Sequence, residues 1–368
     1  MQAVILVGGE GTRLRPLTST VPKPVLPLVD RPLMVYMLEW LRGHGIDDVI
    51  MSCGFKATRV RDVLGDGSQL GITLRFVEEP DPRGTAGALK FAEEFLDERF
   101  LMLNGDVLTD LDLTAQIAQH ERTGATGTLA LVSVPDPSSY GLVRLHGDAT
   151  VQEFLEKPSP DAVLDTNLIS AGAYVLERSV LDLIAPDRNV SIEREVWPAL
   201  VGKGLYGYVD DDAYWLDVGT PARYLEATFD ILEGNVRTAV TERLGDDFLA
   251  VDPGAVVDGR AIPPALVGAG CSVAHGAHVG SLAVLGDDVS VGEGTTVERS
   301  VVLDGASIGA RCLLRDCVIG PGARIGDRSQ VLGGSIVGEG VSIGADNVLA
   351  HGARLFPGME VPDGGIAF

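Results

Sequence analysis

Two hydrophobic periods divide the chain. Over roughly the first 235 residues, short apolar runs alternate with amphipathic segments. The first, Ala3–Val7, is unbroken, as a strand is when a parallel sheet buries it on both faces. The same reading predicts strands at Asp48–Cys53, Thr73–Val77, Phe100–Leu103, Thr128–Val134, Val151–Leu155, Gly172–Leu176 and Leu205–Tyr208. Helices are predicted at Leu33–Gly43, Ala57–Leu64, Ala86–Phe95, Leu113–Arg122, Ile192–Leu200 and Ala222–Glu233. Strands alternating with helices predict an α/β fold with a mostly parallel sheet, whose ligands bind beyond the carboxyl ends of the strands.

From Val267 the period changes. An aliphatic residue recurs at Val273, Val279, Leu285, Val291, Val297 and Leu303; a five-residue step reaches Ile308, then Leu314, and a second reaches Ile319. Sixes resume through Ile325, Val331, Val337, Ile343, Leu349, Leu355 and Val361. Seventeen aliphatic residues in phase, often followed by glycine, predict a parallel β-helix of hexapeptide repeats. Each short strand sends one side chain into a narrow core, and the five-residue steps fall at corners. The expected organisation is a catalytic domain over 1–236, a linker over 237–253 and the repeat domain over 254–368.

Composition narrows the partners. The chain has 368 residues, 45% of them hydrophobic, enough for two cores, and its 5% aromatic content suits a part built from small aliphatic side chains. A net charge of −23 argues against nucleic acid, whose phosphates need a basic face. No apolar run approaches the ~20 residues of a membrane span, and the first residues enter a core strand without a charged leader. The expectation is a cytoplasmic protein with no membrane partner. Four scattered cysteines, Cys53, Cys271, Cys312 and Cys317, form no C-x-x-C pair and read as reduced thiols.

The chemistry begins where the first strand ends. Gly8-Gly9-Glu10-Gly11 can bring backbone N–H groups close to phosphate oxygens, and Arg13, Arg15 and Lys23 add cations in an otherwise acidic chain. The spacing is neither G-x-G-x-x-G nor G-x-x-x-x-G-K-[ST], so dinucleotide and P-loop readings lose support. Read on through Thr12-Arg13-Leu14-Arg15-Pro16-Leu17-Thr18 to Pro22-Lys23-Pro24, the loop resembles the signature of the sugar-1-phosphate nucleotidylyltransferases, or nucleotide-sugar pyrophosphorylases.

That resemblance implies a Rossmann-like nucleotidyltransferase domain followed by a left-handed β-helix. It also implies a reaction between two anions, which need cations, a metal and alignment more than a covalent nucleophile. By resemblance, Asp106 in N-G-D and Asp217 in W-L-D-V-G-T-P hold Mg²⁺, and Arg13 and Lys23 bind the triphosphate. Leu6, Gly8, Gly9, Gly11, Thr12, Glu79, Gly84 and Thr85 fall at the implied nucleotide site. Glu156-Lys157-Pro158 and Tyr140-Gly141 match the implied sugar-phosphate site, joined by Asn167 and Ser170.

The base can be argued chemically. A carboxylate at Glu79 accepts from both N1–H and N2–H₂ of guanine, whereas adenine presents an acceptor at N1 and is repelled. Within the family the chain resembles the bacterial mannose-1-phosphate guanylyltransferases, so GTP and mannose 1-phosphate are the expected substrates. One departure is Ile169-Ser170-Ala171-Gly172, where those enzymes carry I-N-A-G; Ser170 leaves glucose 1-phosphate or a cyclitol phosphate open.

Two other functions compete. The hexapeptide helix is also an acyltransferase scaffold, and His275, His278 and His351 lie in it, but no long loop interrupts the period. A non-catalytic regulatory subunit would show damage at Arg13, Lys23, Asp106 or Asp217, and all four are present. An open end of coils exposes strand edges, which favours a homo-oligomer.

Overall fold

A computed structural model of the chain describes residues 1–54, 56–158 and 165–367. The contacts group into two compact units: Met1–Gly9 with Met34–Trp215, and Glu10–Leu33 with Leu216–Phe368. The sequence places the end of the catalytic domain at 236, ahead of a linker and the repeat. The contacts instead group the glycine loop from Glu10 onward and the Pro221–Glu233 helix with the repeat. Phe368, the end of the expected repeat domain, lies outside the described residues.

The first unit holds a nine-stranded sheet. Gln2–Val7 lies between Asp48–Cys53 and Arg99–Asn104, parallel to both, and Thr73–Glu78 extends the parallel edge. Leu168–Glu177 runs antiparallel to Arg99–Asn104, Gly127–Ser133 and Gly141–Leu145, and Val151–Glu156 is antiparallel to Gly141–Leu145. Leu205–Val209 is parallel to Gly127–Ser133. Seven of the nine described strands thus point one way, as a mostly parallel sheet requires. The unbroken apolar character of Ala3, Val4 and Ile5 follows from burial on both faces, where each is fully enclosed.

The expected helices form at Leu33–Gly43, Ala57–Leu64, Gly84–Phe91, Leu113–Thr123 and Pro221–Glu233. The Ile192–Leu200 segment opens with a π-helical turn, Ile192–Val196, before Trp197–Leu200. Among the described residues no helix is long and apolar enough to cross a membrane.

The second unit contains the left-handed parallel β-helix, its three faces formed by parallel sheets of seven, seven and six strands. The in-phase aliphatic residues fill its core: Val273, Val291, Ile308, Ile325 and Ile343 stack on one face and Val279, Val297, Leu314, Val331 and Leu349 on another. Two details differ from the sequence reading. On the third face the column runs Val267, Leu285, Val302, Ile319 and Val337, so Val302, not Leu303, points inward. The first five-residue step therefore falls between Val297 and Val302. Both five-residue steps then occupy one corner, at Arg299-Ser300 and Asp316-Cys317. Leu303 is aliphatic for another reason: it lines, with Val29 and Leu266, a cavity on the outside of that face.

The coils also begin earlier than expected. Leu249–Val251, Val256–Val257 and Arg260–Ala261 pair with Ala265–Val267, Ser272–Val273 and His278–Val279. The expected linker thus contains a helix, Ala239–Leu244, and the first strand of the coil. Its phase is hidden because the inward residues Val257 and Ala261 are four apart and Ala261 is small. All four cysteines are buried free thiols, and burial pushes Cys53 and Cys317 up to about 12.

Candidate active site

In the first unit the singled-out residues gather at the carboxyl edge of the parallel strands. Register places Leu6 beside Asn104, Val7 beside Cys53 and Cys53 beside Glu78, so Gly8, Gly54, Glu79 and Gly105 leave the sheet together. The Gly105 N–H donates to the Leu6 carbonyl at 3.0 Å. A Cβ at Gly105 would stand 2.5 Å from Val7 Cγ1, so only glycine lets Asp106 follow the strand this closely. Asp106 is half-buried just beyond that turn.

Glu79 is held rather than free. Ser52, fully buried, donates to its Oε1 at 2.9 Å, and its own N–H donates to the Cys53 carbonyl. The same Oε1 lies 3.9 Å from where a Gly8 Cβ would stand, so a fixed carboxylate flanks the start of the glycine loop. The sequence gives no sign of Ser52, which reads there only as one more strand residue.

Gly84 and Thr85 open their helix against the Arg188–Ile192 segment. The Thr85 hydroxyl donates to Glu193 Oε2 at 2.8 Å and accepts from the Ile192 N–H. Cβ atoms at Gly84 and Gly87 would stand 2.6 Å from the Val190 carbonyl oxygen and 2.5 Å from that of Arg188. These residues tie two distant segments together.

The sugar-phosphate candidates form a second cluster in this unit. Gly141 lies opposite Glu156 in the ladder, and its missing Cβ would sit 3.1 Å from Glu156 Oε2. Glu156 is half-buried; burial, and then the Glu193 charge, raise its carboxyl above the ordinary value. Lys157 sits at φ 48°, a left-handed conformation uncommon for a lysine, with Nζ 3.8 Å from Glu156 Oε1. Tyr140 packs edge-on to Trp215, ring centroids 5.3 Å apart, and Trp215 Nε1 donates to the Ala171 carbonyl. Ser170 Oγ and Tyr174 OH are hydrogen-bonded at 2.9 Å. Burial raises the Tyr174 hydroxyl, which therefore stays protonated. Asn167 is exposed and precedes the strand that carries Ser170. Three positions apart on extended backbone, the two side chains leave opposite sides. Glu193 is absent from the sequence reading, because only folding brings it near Thr85 and Glu156.

The second unit carries the rest. Gly11, at φ 63°, accepts from Thr18 Oγ1 at 2.7 Å and from the Leu14 N–H, which closes the loop over Thr12–Leu14. Thr12 and Arg13 are exposed, whereas Lys23 is 92% buried, its Cβ 3.2 Å from the Cβ position of Gly11. Gly219 shows where two of these groups converge: a Cβ there would lie 2.5 Å from Asp217 Oδ1 and 2.8 Å from Arg13 Nη2. Asp217 and Arg13 therefore border one small space that glycine leaves open. A carboxylate, a guanidinium and a loop with exposed backbone can together hold a polyphosphate and its counter-cation.

Comparison with known proteins agrees with this chemistry. A family model described as nucleotidyl transferase matches residues 2–234, and one described as the GMPPB C-terminal domain matches 261–364. A mannose-1-phosphate guanylyltransferase from Mycobacterium tuberculosis is 41% identical, the match covering 100% of this chain and 98% of that protein. A UTP–glucose-1-phosphate uridylyltransferase from Synechocystis is 31% identical over 82% of each chain. Among solved structures, HddC from Yersinia pseudotuberculosis complexed with GMP-PN aligns with a TM-score of 0.53 at 28% identity, covering 61% of this chain and 97% of that one. A family match along the whole first part of the chain, with a relative spanning it from end to end, leaves one assignment: the chain belongs to the nucleotidyl transferase family, as a sugar-1-phosphate nucleotidylyltransferase.

Proposed function

We propose that the protein transfers guanylate from GTP to mannose 1-phosphate, yielding GDP-mannose and pyrophosphate. The observation that carries the choice of base is Glu79, a carboxylate fixed by Ser52 beside the glycine loop. Two acceptor oxygens held there suit the paired N1–H and N2–H₂ donors of guanine. The relative from Mycobacterium tuberculosis, a mannose-1-phosphate guanylyltransferase matched along its whole length, supports both substrates.

Each residue then has a task. Backbone donors of the loop, from the end of the Leu6–Val7 strand through Gly8, Gly9, Gly11 and Thr12, receive the triphosphate, with Gly84 and Thr85 bracing the base side. Arg13 and Lys23 neutralise its charge and stabilise pyrophosphate as it departs. Glu156 accepts from sugar hydroxyls, Lys157 grips the sugar phosphate, and Tyr140 and Gly141 line the ring. A phosphate oxygen of the acceptor attacks the α-phosphorus, the bond from that phosphorus to the β-bridging oxygen breaks, and pyrophosphate leaves on the opposite side. No enzyme nucleophile is needed.

The family generally uses a divalent metal such as Mg²⁺. Asp106 and Asp217 are hard oxygen donors in the number Mg²⁺ takes when substrate phosphates complete its shell, and Gly219 leaves room beside Asp217. When bound, the ion supplies charge neutralisation and polarisation at the reacting phosphate.

The Ser170–Tyr174 hydrogen bond favours a second acceptor, glucose 1-phosphate, because the hydroxyl that replaces an amide is already engaged. Charged nucleotide substrates and four free thiols suit the cytoplasm. The exposed edge of the first coil, with Val251, Val256 and Ile262 exposed nearby, suits a homo-oligomer.

The test is pyrophosphate release with Mg²⁺ over four nucleoside triphosphates and the 1-phosphates of mannose, glucose, galactose and N-acetylglucosamine. Strongest turnover with GTP and mannose 1-phosphate is expected. Preference for another base would remove the role given to Glu79, and preference for glucose 1-phosphate would establish the second acceptor.

A further inference from the structure

Arg354 lies on one of the last strands of the β-helix, far in sequence from the glycine loop. Its Nη1 donates to the backbone carbonyl of Arg15 at 3.0 Å and faces that of Arg13 at 3.4 Å. Those carbonyls belong to the short turn, Thr12–Leu14 and its cap, that carries Arg13. We propose that Arg354 is a positioning residue for nucleotidyl transfer, holding the loop backbone so that the Arg13 guanidinium stands beside Asp217.

Little else holds this turn: beyond its own backbone bonds, the Arg15–Glu10 ion pair at 3.0 Å lies exposed to solvent. A single 3₁₀ turn has few bonds of its own, and its carbonyl end presents acceptors that need donors. Thr18 fixes the other end, at Gly11. Arg354 fixes the carbonyl end from a rigid support: it pairs with Ile336 in the ladder, and the neighbouring Leu355 is buried against Val337. A guanidinium suits the task because one nitrogen can serve two carbonyls while the alkyl stem spans the gap. Arg13 Nη2 meets the Gly219 space that Asp217 also borders, so a shift in the turn is passed directly to this pair. The repeat then contributes to catalysis without touching substrate.

This inference rests on the nucleotidyl-transfer reading, and the experiment separates the two. Steady-state kinetics are measured for the parent, Arg354→Ala and Arg354→Lys with the nucleotide and sugar phosphate that the parent turns over fastest. Amide exchange of residues 12–18 is followed on the same proteins without substrate. Arg354→Ala is expected to lower kcat ~10-fold or more, since small misplacement of a catalytic group is costly, while the KM for sugar phosphate stays within about twofold. Exchange across 12–18 should accelerate and the unfolding midpoint stay put. Arg354→Lys, with a shorter reach, should recover only part of the loss.

A kcat within twofold of the parent for Arg354→Ala would overturn the proposal. So would slowed turnover with unchanged exchange at 12–18. A parent inactive on every nucleotide and sugar-phosphate pair would instead overturn the nucleotidyl-transfer reading, and the exchange data would still decide whether Arg354 holds the turn.

Discussion

The coils and the open sheet solve the same folding problem at different ranges. In the β-helix, side chains that touch are one coil apart: Arg299 meets Asp316 across 17 residues and Arg328 meets Asp346 across 18. In the sheet unit, Thr85 reaches Glu193 across 108 residues, and Trp215 reaches Ala171 across 44. A coil therefore repeats its own contacts and can be read from its period, whereas a loop at a strand end is completed by residues that no local pattern announces. Stability in the first case is a sum over neighbours. Chemistry in the second depends on a few distant pairs.

Loop chemistry and repeat packing should therefore fail differently, even in the second unit, which holds both. The largest effect belongs to Asp217→Asn, which keeps shape and removes charge: turnover should fall about 100-fold or more, as loss of several kcal/mol of charge stabilisation implies, with the unfolding midpoint unchanged. Near-normal turnover would show that chemistry does not depend on this carboxylate. Next is Asn347→Ala at the end of the coils. The Asn347 amide donates to the Gly344, Ala345 and Pro362 carbonyls, and its oxygen accepts from the Ile366 N–H. Leaving these groups unpaired should cost ~2 kcal/mol. In a structure built from neighbour contacts, faster amide exchange should stay within the last coil; loosening as far as Val273 would contradict that picture.

The smallest effect is a pH dependence. Burial and Glu193 raise the Glu156 carboxyl above its ordinary value near 4.5. The folded state then binds this proton more tightly than the unfolded state, so the associated stability is present below 4.5 and is lost as pH rises through the raised value. Glu156→Gln removes that contribution. Melting curves from pH 4 upward should show the variant gaining on the parent as pH rises, and a constant difference would mean that the burial seen here does not act on ionisation.

Much of the architecture was legible because burial leaves a period. The apolar run Ala3–Val7 and the aliphatic column from Val267 to Leu355 each report a core directly. The misreadings have local causes. Leu303 imitated an inward residue because the outer face there is also covered, and the first coil was hidden by a four-residue step ending at Ala261. At the candidate site, the motifs pointed to Gly8, Asp106, Glu156 and Asp217, which stand at the ends of strands or just beyond them. Ser52, Glu193 and Arg354 were invisible: each bonds a motif residue from another segment, and a hydroxyl in a strand or an arginine on a coil carries no mark of its partner.

In the proposed reaction the site aligns two anions for one direct displacement at phosphorus, with no group of the enzyme entering the bond. Its most direct test is the steric course at the α-phosphorus, using GTP made chiral there by sulfur substitution and oxygen isotopes, with the configuration of the nucleotide-sugar product determined. A single in-line displacement predicts inversion. Retention would mean two successive displacements through a covalent enzyme intermediate and would contradict the account.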